Sequence, residues 1–381
     1  MSLTQSISSL KLKRSFFIAS LLSSIALITA CQNGHQTVAP ASVKKAVQTG
    51  SSSSHKPETN KLVPPKGFEQ RSSTIGTDLP THAQISSARA GGVKLKYNSG
   101  EDPEFARRKG WPKKYPTPLQ GAILPQKRII AYYGNPLSKK MGALGEFPKD
   151  EMVKRLKAEV LKWEQADPST PVQPALHLIA VVAQGAPGKT AKYRMIMPDA
   201  VVNQVYGWAK ESGALLFIDI QTGHDDIRSI LPQFEWILKN PDVHLGIDPE
   251  FNLISSKAKP GKKIGTYDAS DINYASNYLK ELVQKYKLPP KVFTIHRFTR
   301  NGVTNTDKII LRREVQLVMH MDGWGAPWLK RDSYKDYIVT EPVQFTGFKL
   351  FYHNDTKKGD PLMSPQDILR LNPKPIYIQY Q

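Results

Sequence analysis

Cysteine is almost missing: Cys31 is the only one in 381 residues, which excludes an intrachain disulfide and any cysteine-built metal centre. Acidic residues are scarce beside basic ones, 33 against 53, and the resulting formal charge of +20 points to anionic surfaces as partners. Aromatic residues are nearly absent between Gln32 and Gly92. A segment so poor in apolar area cannot offset its ordering entropy, so residues 31–94 are expected to be a disordered Ser/Lys/Pro-rich tether. There is no short internal repeat of the solenoid kind, no H-E-x-x-H spacing and no glycine-led phosphate loop. The run Gln184-Gly185-Ala186-Pro187-Gly188-Lys189-Thr190 lacks the first glycine such a loop requires and reads as a connection after a strand.

Long hydrophobic runs are also lacking. The longest, Phe16 to Ile28, follows basic Lys11, Lys13 and Arg14 and is too short for a comfortable membrane span, which suits the core of a signal peptide over residues 1–30. It closes in Ile28-Thr29-Ala30-Cys31, which resembles the bacterial lipobox. That resemblance implies lipidation of Cys31 and a lipid anchor in the bacterial cell envelope. Gln32 stands where an aspartate would favour inner-membrane retention, so the outer membrane is the expected location. Export turns the basic charge toward envelope glycans such as peptidoglycan or lipopolysaccharide, and away from nucleic acid.

What the chain does have begins after Arg128: short apolar runs alternating with amphipathic helical patterns, the rhythm of βα units. Strands are expected over Arg128–Gly134, Ala175–Gln184, Ala214–Gln221, Val243–Asp248, Lys291–Arg297, Glu314–Asp322, Gly347–His353 and Pro375–Tyr380. Helices are expected over Lys149–Gln165, Pro198–Glu211, Asp225–Lys239 and Ser270–Lys287, with shorter ones near Asp307–Arg313, Asp332–Ile338 and Ser364–Leu371. Eight strands within 125–381 make an α/β fold, a (β/α)8 TIM-like barrel of parallel strands, with an open doubly wound sheet as the alternative. Residues 95–124 are a transition segment expected to pack on the barrel, and the last outer helix is either missing or supplied by them.

In such barrels the chemistry collects at the C-terminal ends of the strands. Those ends carry Tyr133, Gln184, Asp219 with Gln221, Asp248 with Glu250, His296 with Arg297, His320 with Asp322, Tyr352 with His353, and Gln379. Pro249 cannot donate to a ladder, so the fourth strand should stop there and place Glu250 on the rim. Two crowded carboxyls raise one pKa, and a carboxylic acid beside a second carboxyl group is what glycoside cleavage requires. Glu250, Asp248 and Asp322 are therefore the catalytic candidates. Asp219, Gln221, Tyr133, His296, Trp324 and Tyr352 are the substrate-binding candidates, with Trp328 as a further aromatic face. In Thr222-Gly223-His224-Asp225-Asp226, Asp225 reads as a helix cap.

Three patches carry a family resemblance. Gly246-Ile247-Asp248-Pro249-Glu250-Phe251, Ile130-Ala131-Tyr132-Tyr133 and Met319-His320-Met321-Asp322 resemble strand ends of family-18 chitinases and their relatives. The resemblance implies Glu250 as general acid, Asp248 as the group orienting a substrate acetamide, and Asp322 as support for the reacting group. The departures are Val243 and Gly246 where that family has acids, Met321 where it has tyrosine, and no tryptophan on the last strand. Three functions stay open: a hydrolase cleaving an N-acetylated glycan, a metal-dependent hydrolase using Asp219, Asp248 or Glu250, His296, His320 and Asp322, and a glycan-binding or scaffolding lipoprotein with decayed acids. The glycan hydrolase is the reading carried forward, with no cofactor and no metal.

Overall fold

The computed structural model describes residues 97–381; the expected signal peptide, Cys31, the tether and the start of the transition segment lie outside the described residues. Eight parallel strands close on themselves. They are β1 (Arg128–Gly134), β2 (Val172–Ala183), β3 (Leu215–Ile220), β4 (Val243–Ile247), β5 (Lys291–Arg297), β6 (Val315–Met321), β7 (Phe345–Leu350) and β8 (Tyr377–Tyr380). Each pairs with its neighbours in sequence, and β8 returns to β1 with Ile129 opposite Tyr377 and Tyr132 opposite Tyr380. The chain is thus a TIM-like barrel, as its alternating pattern predicts, and the open sheet is excluded.

Burial of both strand faces accounts for the near-continuous apolar runs. Apart from the first three residues of β2, every strand residue is buried. Successive side chains point alternately to the helices and to the barrel axis. On β1, Ile130 joins the outer core, while Ile129 and Ala131 join an inner cluster with Leu215, Phe217, Val292, Val318, Phe345 and Tyr377. That inner cluster is apolar only toward the N-terminal ends of the strands. Above it the interior is polar: His177, Asp219, Thr294, His296, His320, Lys349 and Gln379 are all at most 2% exposed.

The outer layer contains α1 (Lys149–Ala166), α2 (Asp199–Ser212), α3 (Ala269–Tyr286), α4 (Pro327–Ser333, running into a π-helical turn at Tyr334–Val339) and α5 (Pro365–Leu369). Gly213 ends α2 in the left-handed conformation at φ 69°, and α3 starts on a reciprocal capping box between Asp268 and Asp271. Two expected helices differ. The span 225–239 is not one helix but Ile227–Ile230, a 3-10 turn at Leu231–Phe234, and Glu235–Leu238. Pro232, without an N–H, sits in that break. The expected helix 307–313 reduces to a 3-10 turn at Thr306–Lys308. β7 begins two residues earlier than expected and ends at Leu350, because the Phe351 N–H turns to the Asp355 carboxylate.

The segment before β1 does not stand in for an outer helix after β8. A short helix, Pro103–Lys109, is followed by Trp111, whose indole N–H donates to the Val339 carbonyl beside the π-helical turn. Residues 115–124 instead run under the barrel. Tyr115 packs on Phe345 with ring centroids 5.3 Å apart, and Leu124 is fully buried in the inner cluster. Gln316 fixes this floor, its side-chain oxygen accepting the Ile123 and Leu124 N–H groups at 2.8 and 3.1 Å. Among the described residues no helix is long and apolar enough to cross a membrane.

Because Leu124 plugs the floor, Leu124→Ala is expected to lower unfolding free energy by about 2–5 kcal/mol in chemical denaturation while the folded spectrum is retained.

Candidate functional site

Three inward positions of β3, spaced by two, set the site's vertical order: Phe217 in the apolar floor, Asp219 in the interior, and Gln221 just beyond the strand end. The Tyr133 hydroxyl, from β1, donates to Asp219 Oδ2 at 2.8 Å. Gln221 Nε2 donates to Asp248 Oδ2 at 3.2 Å and to the Tyr133 oxygen at 3.3 Å, and its own oxygen takes the Ala183 N–H at 3.0 Å. Across the barrel, Asp322 Oδ2 lies 2.9 Å from His296 Nδ1 and 2.9 Å from Lys349 Nζ. Asp219 Oδ1 comes within 3.6 Å of His296 Nε2, which joins the two halves. Tyr133, Asp219, Gln221, Asp248, His296 and Asp322 therefore converge at one end of the barrel.

The remaining candidates are placed differently. β4 ends at Ile247, and Asp248 opens a 3-10 turn, Pro249–Phe251, so alternation stops there and half-buried Glu250 stands on the rim. Trp324 packs against Phe298 and Phe351 at the mouth, with centroid distances of 5.2 and 6.1 Å. Tyr352 turns away from the cluster: its hydroxyl meets that of Tyr132 at 3.0 Å and its ring stacks on Tyr380 at 5.2 Å. Tyr132 belongs to the helix-facing core, so Tyr352 is a packing residue behind the site. Arg297 also points outward, binding the carbonyls of Tyr337, Arg300 and Val303 and the carboxylate of Glu341. Asp225 pairs with Arg194, and the cap of the following helix is Asp226.

Two members of the cluster were not among the candidates. Lys349 is buried, its ammonium 4.0 Å from the centre of the Tyr133 ring as well as on Asp322. His177, in the middle of β2, lies with Nε2 3.3 Å from Asp219 Oδ1 and Nδ1 2.6 Å from the Tyr377 hydroxyl. Both sit inside apolar strand runs, Phe-Thr-Gly-Phe-Lys-Leu and Ala-Leu-His-Leu-Ile-Ala. An ionisable residue interrupting a strand buried on both faces is the signal that marks them; strand ends alone do not.

Electrostatics divides the four carboxyl groups into two kinds. Burial works to raise the Asp322 carboxyl, but Lys349 and then His296 and His320 outweigh it and hold it far below the usual range. Burial likewise opposes ionisation of Asp219, and His296, His177 and the Tyr133 hydroxyl overcome it. Asp248 has no cation of its own: burial first, then Glu250, Asp219 and Asp322, push it well above the carboxylate range. Glu250 is pushed up to about 8, by burial first and then by Asp322, against the pull of Lys349. At neutral pH two acids therefore keep their protons beside two that have lost them.

Gly246 is required by the cluster. A Cβ there would lie 2.4 Å from His177 Nε2 and 2.5 Å from Asp219 Oδ1, so the space a side chain would need is taken by these two groups. Met321, at the family's tyrosine position, packs in the outer core, while His320 and Asp322 face inward.

No protein-family model and no curated protein matches the chain. Among solved structures it is similar to the noncanonic maltogenic alpha-amylase AmyB from Thermotoga neapolitana, at 14% identity and a TM-score of 0.24, over 60% of this chain and 50% of that one. The chain thus spans about half the length of that structure.

Gly246→Ala is expected to cost about 1–3 kcal/mol, since the methyl group must displace His177 or Asp219 within a packed interior. A crystal structure of this variant with both side chains unmoved would contradict that account.

Proposed function

We propose that the protein is an envelope-anchored lipoprotein whose barrel hydrolyses glycosidic bonds in an N-acetylated glycan by carboxylate acid/base catalysis. The observation that carries this reading is the proton-holding Glu250 on the rim, beside an interior in which Asp219 and Asp322 are ionised. Glycoside cleavage needs one carboxylic acid to protonate the leaving oxygen and negative charge to stabilise the oxocarbenium-like centre. Glu250 supplies the proton. Asp322, fixed by Lys349 and His296, supports the positive centre through the field of the site. Asp248 Oδ1 is buried without a hydrogen-bond partner and is the atom available to a substrate acetamide. Trp324 at the mouth and Trp328, 64% exposed on α4, offer faces on which sugar rings can stack.

The charge of +20 fits an anionic envelope polymer, peptidoglycan or lipopolysaccharide, as the source of that glycan. Cys31, in its lipobox-like setting, supplies the lipid anchor, with the outer membrane as the site of attachment.

Incubation with peptidoglycan and with N-acetylglucosamine oligomers is expected to release reducing ends. Glu250→Gln, with an unchanged circular dichroism spectrum, should reduce that release by about 10²–10⁴-fold. The general acid works only while protonated, so wild-type activity should decline as pH rises through about 8. The same shift acts on stability: a carboxyl raised above its unfolded value stabilises fully below about 4.5 and loses that contribution as pH climbs through about 8. Retention on the glycan with no turnover by wild type would replace the hydrolase with a binding protein. For the anchor, Cys31→Ser is expected to abolish metabolic labelling with palmitate and to move the protein out of the membrane fraction; persistent labelling would remove Cys31 from that role.

A further inference from the structure

We infer that His177, Asp219 and His296 form a binding site for a divalent transition-metal ion of the zinc type inside the barrel. One ligating atom from each of the three residues lies within 4.8 Å of the others. Asp219 Oδ1 is 3.3 Å from His177 Nε2 and 3.6 Å from His296 Nε2. A tetrahedral ion with metal–ligand bonds near 2.0–2.1 Å holds its ligand atoms roughly 3.3–3.4 Å apart, so the spacing already suits the ion.

Their surroundings make the same point independently. All three residues are 0% exposed, and none of the three atoms has a hydrogen-bond partner. Buried polar atoms are nearly always satisfied, and three orphans facing one point form a concentration that calls for a ligand. The outer edges of the same side chains are engaged. His296 Nδ1 is 2.9 Å from Asp322 Oδ2, His177 Nδ1 is 2.6 Å from the Tyr377 hydroxyl, and Asp219 Oδ2 accepts from Tyr133 at 2.8 Å. With Nδ1 held against Asp322, Nε2 is the ring atom of His296 turned toward the Asp219 carboxylate oxygen, and a cation between the two would engage both. An imidazole whose far nitrogen is held by a carboxylate is also the arrangement that orients histidine ligands on zinc.

The donor set selects the ion. Two imidazoles and one carboxylate suit zinc and its first-row neighbours, whereas magnesium and calcium require shells made mainly of oxygen. Gly246 borders the site, and a Cβ there would crowd both His177 Nε2 and Asp219 Oδ1. The inference does not rest on the glycan-hydrolase reading, because Glu250 is not a ligand and the site is defined by binding alone.

The test uses the full chain without an affinity tag, expressed with added zinc and then stripped with chelator. One equivalent of zinc per chain is expected before stripping, and Zn²⁺ returned to the stripped protein should raise its thermal midpoint. Co²⁺ in its place should give the strong visible absorption of a four-coordinate ion. Asp219→Asn, nearly isosteric, and His177→Ala should each weaken Zn²⁺ binding by at least about 100-fold, more than loss of an outer-shell partner costs. Glu250→Gln and His353→Ala, the latter removing a surface imidazole, should keep the full equivalent. If stripped wild type takes up neither ion and its midpoint does not move, the inference is overturned. Zinc uptake that survives both ligand substitutions, or a weak six-coordinate cobalt spectrum, would also overturn it. The wild-type measurements stand even if a variant fails to fold.

Discussion

Two carboxylates have to stay ionised inside a closed barrel, and the composition of the interior follows from that constraint. A bare carboxylate in such a place costs far more than a domain can spare, so each needs cations or donors within contact distance. Asp322 has Lys349 and His296 at 2.9 Å. Asp219 has the Tyr133 hydroxyl on one oxygen and two imidazoles near the other. Once those cations are committed, Asp248 has only the neutral Gln221 amide, and neither it nor Glu250 has a cation in contact. The negative charge that Asp219 and Asp322 retain is what keeps protons on the other two, so one arrangement of cations sets all four protonation states.

The scaffold makes room for this polar layer by removing side chains around it. Gly246 and Gly347 are inward positions on β4 and β7, and a Cβ on the second would lie 2.5 Å from His320 Cδ2. Each ring therefore occupies space that another strand vacates, β4 for His177 and β7 for His320. Beneath the layer, Leu124 and Gln316 close the floor with apolar volume and satisfied backbone. At the mouth, Lys330 and Asp355, both about 1% exposed, form an ion pair at 2.9 Å. Lys330 also donates to the Gly323 carbonyl, and Asp355 accepts the Gly325 and Phe351 N–H groups, tying the chain after β6 to the chain after β7. Asp322 stands at the root of that clasp, so its position is fixed from both sides.

The strands were legible because burial on both faces leaves uninterrupted apolar runs, and β1 and β5 fall on their expected bounds. The helix expected at 225–239 was not, since an amphipathic pattern persists through Pro232 whether or not the backbone stays α-helical. In the site, the two-residue alternation along β3 correctly carried Asp219 and Gln221 to one interior. Tyr352 lies outside that interior because Gly347 and Lys349 face the axis while Phe348 and Leu350 join the outer core; position 352 keeps the outward parity, and its ring lies on Tyr380. His177 is not legible from the strand ends, because its side chain reaches Asp219 from mid-strand.

That reach also changes the meaning of the small and apolar residues on β4. In sequence, Val243 and Gly246 carry no chemistry of their own. In three dimensions Gly246 is a requirement of the interior that exists here, since any side chain there would strike His177 and Asp219. The interior charge lies on β3 at Asp219, flanked by two imidazoles, one from β2 and one from β5. A barrel merely losing a catalytic site would have little reason to assemble ionised Asp219 and Asp322, buried Lys349 and oriented His296 around the emptied position, because each is costlier to bury than the apolar residue that could replace it. The arrangement is better understood as a different solution to placing charge at the same end of the same fold.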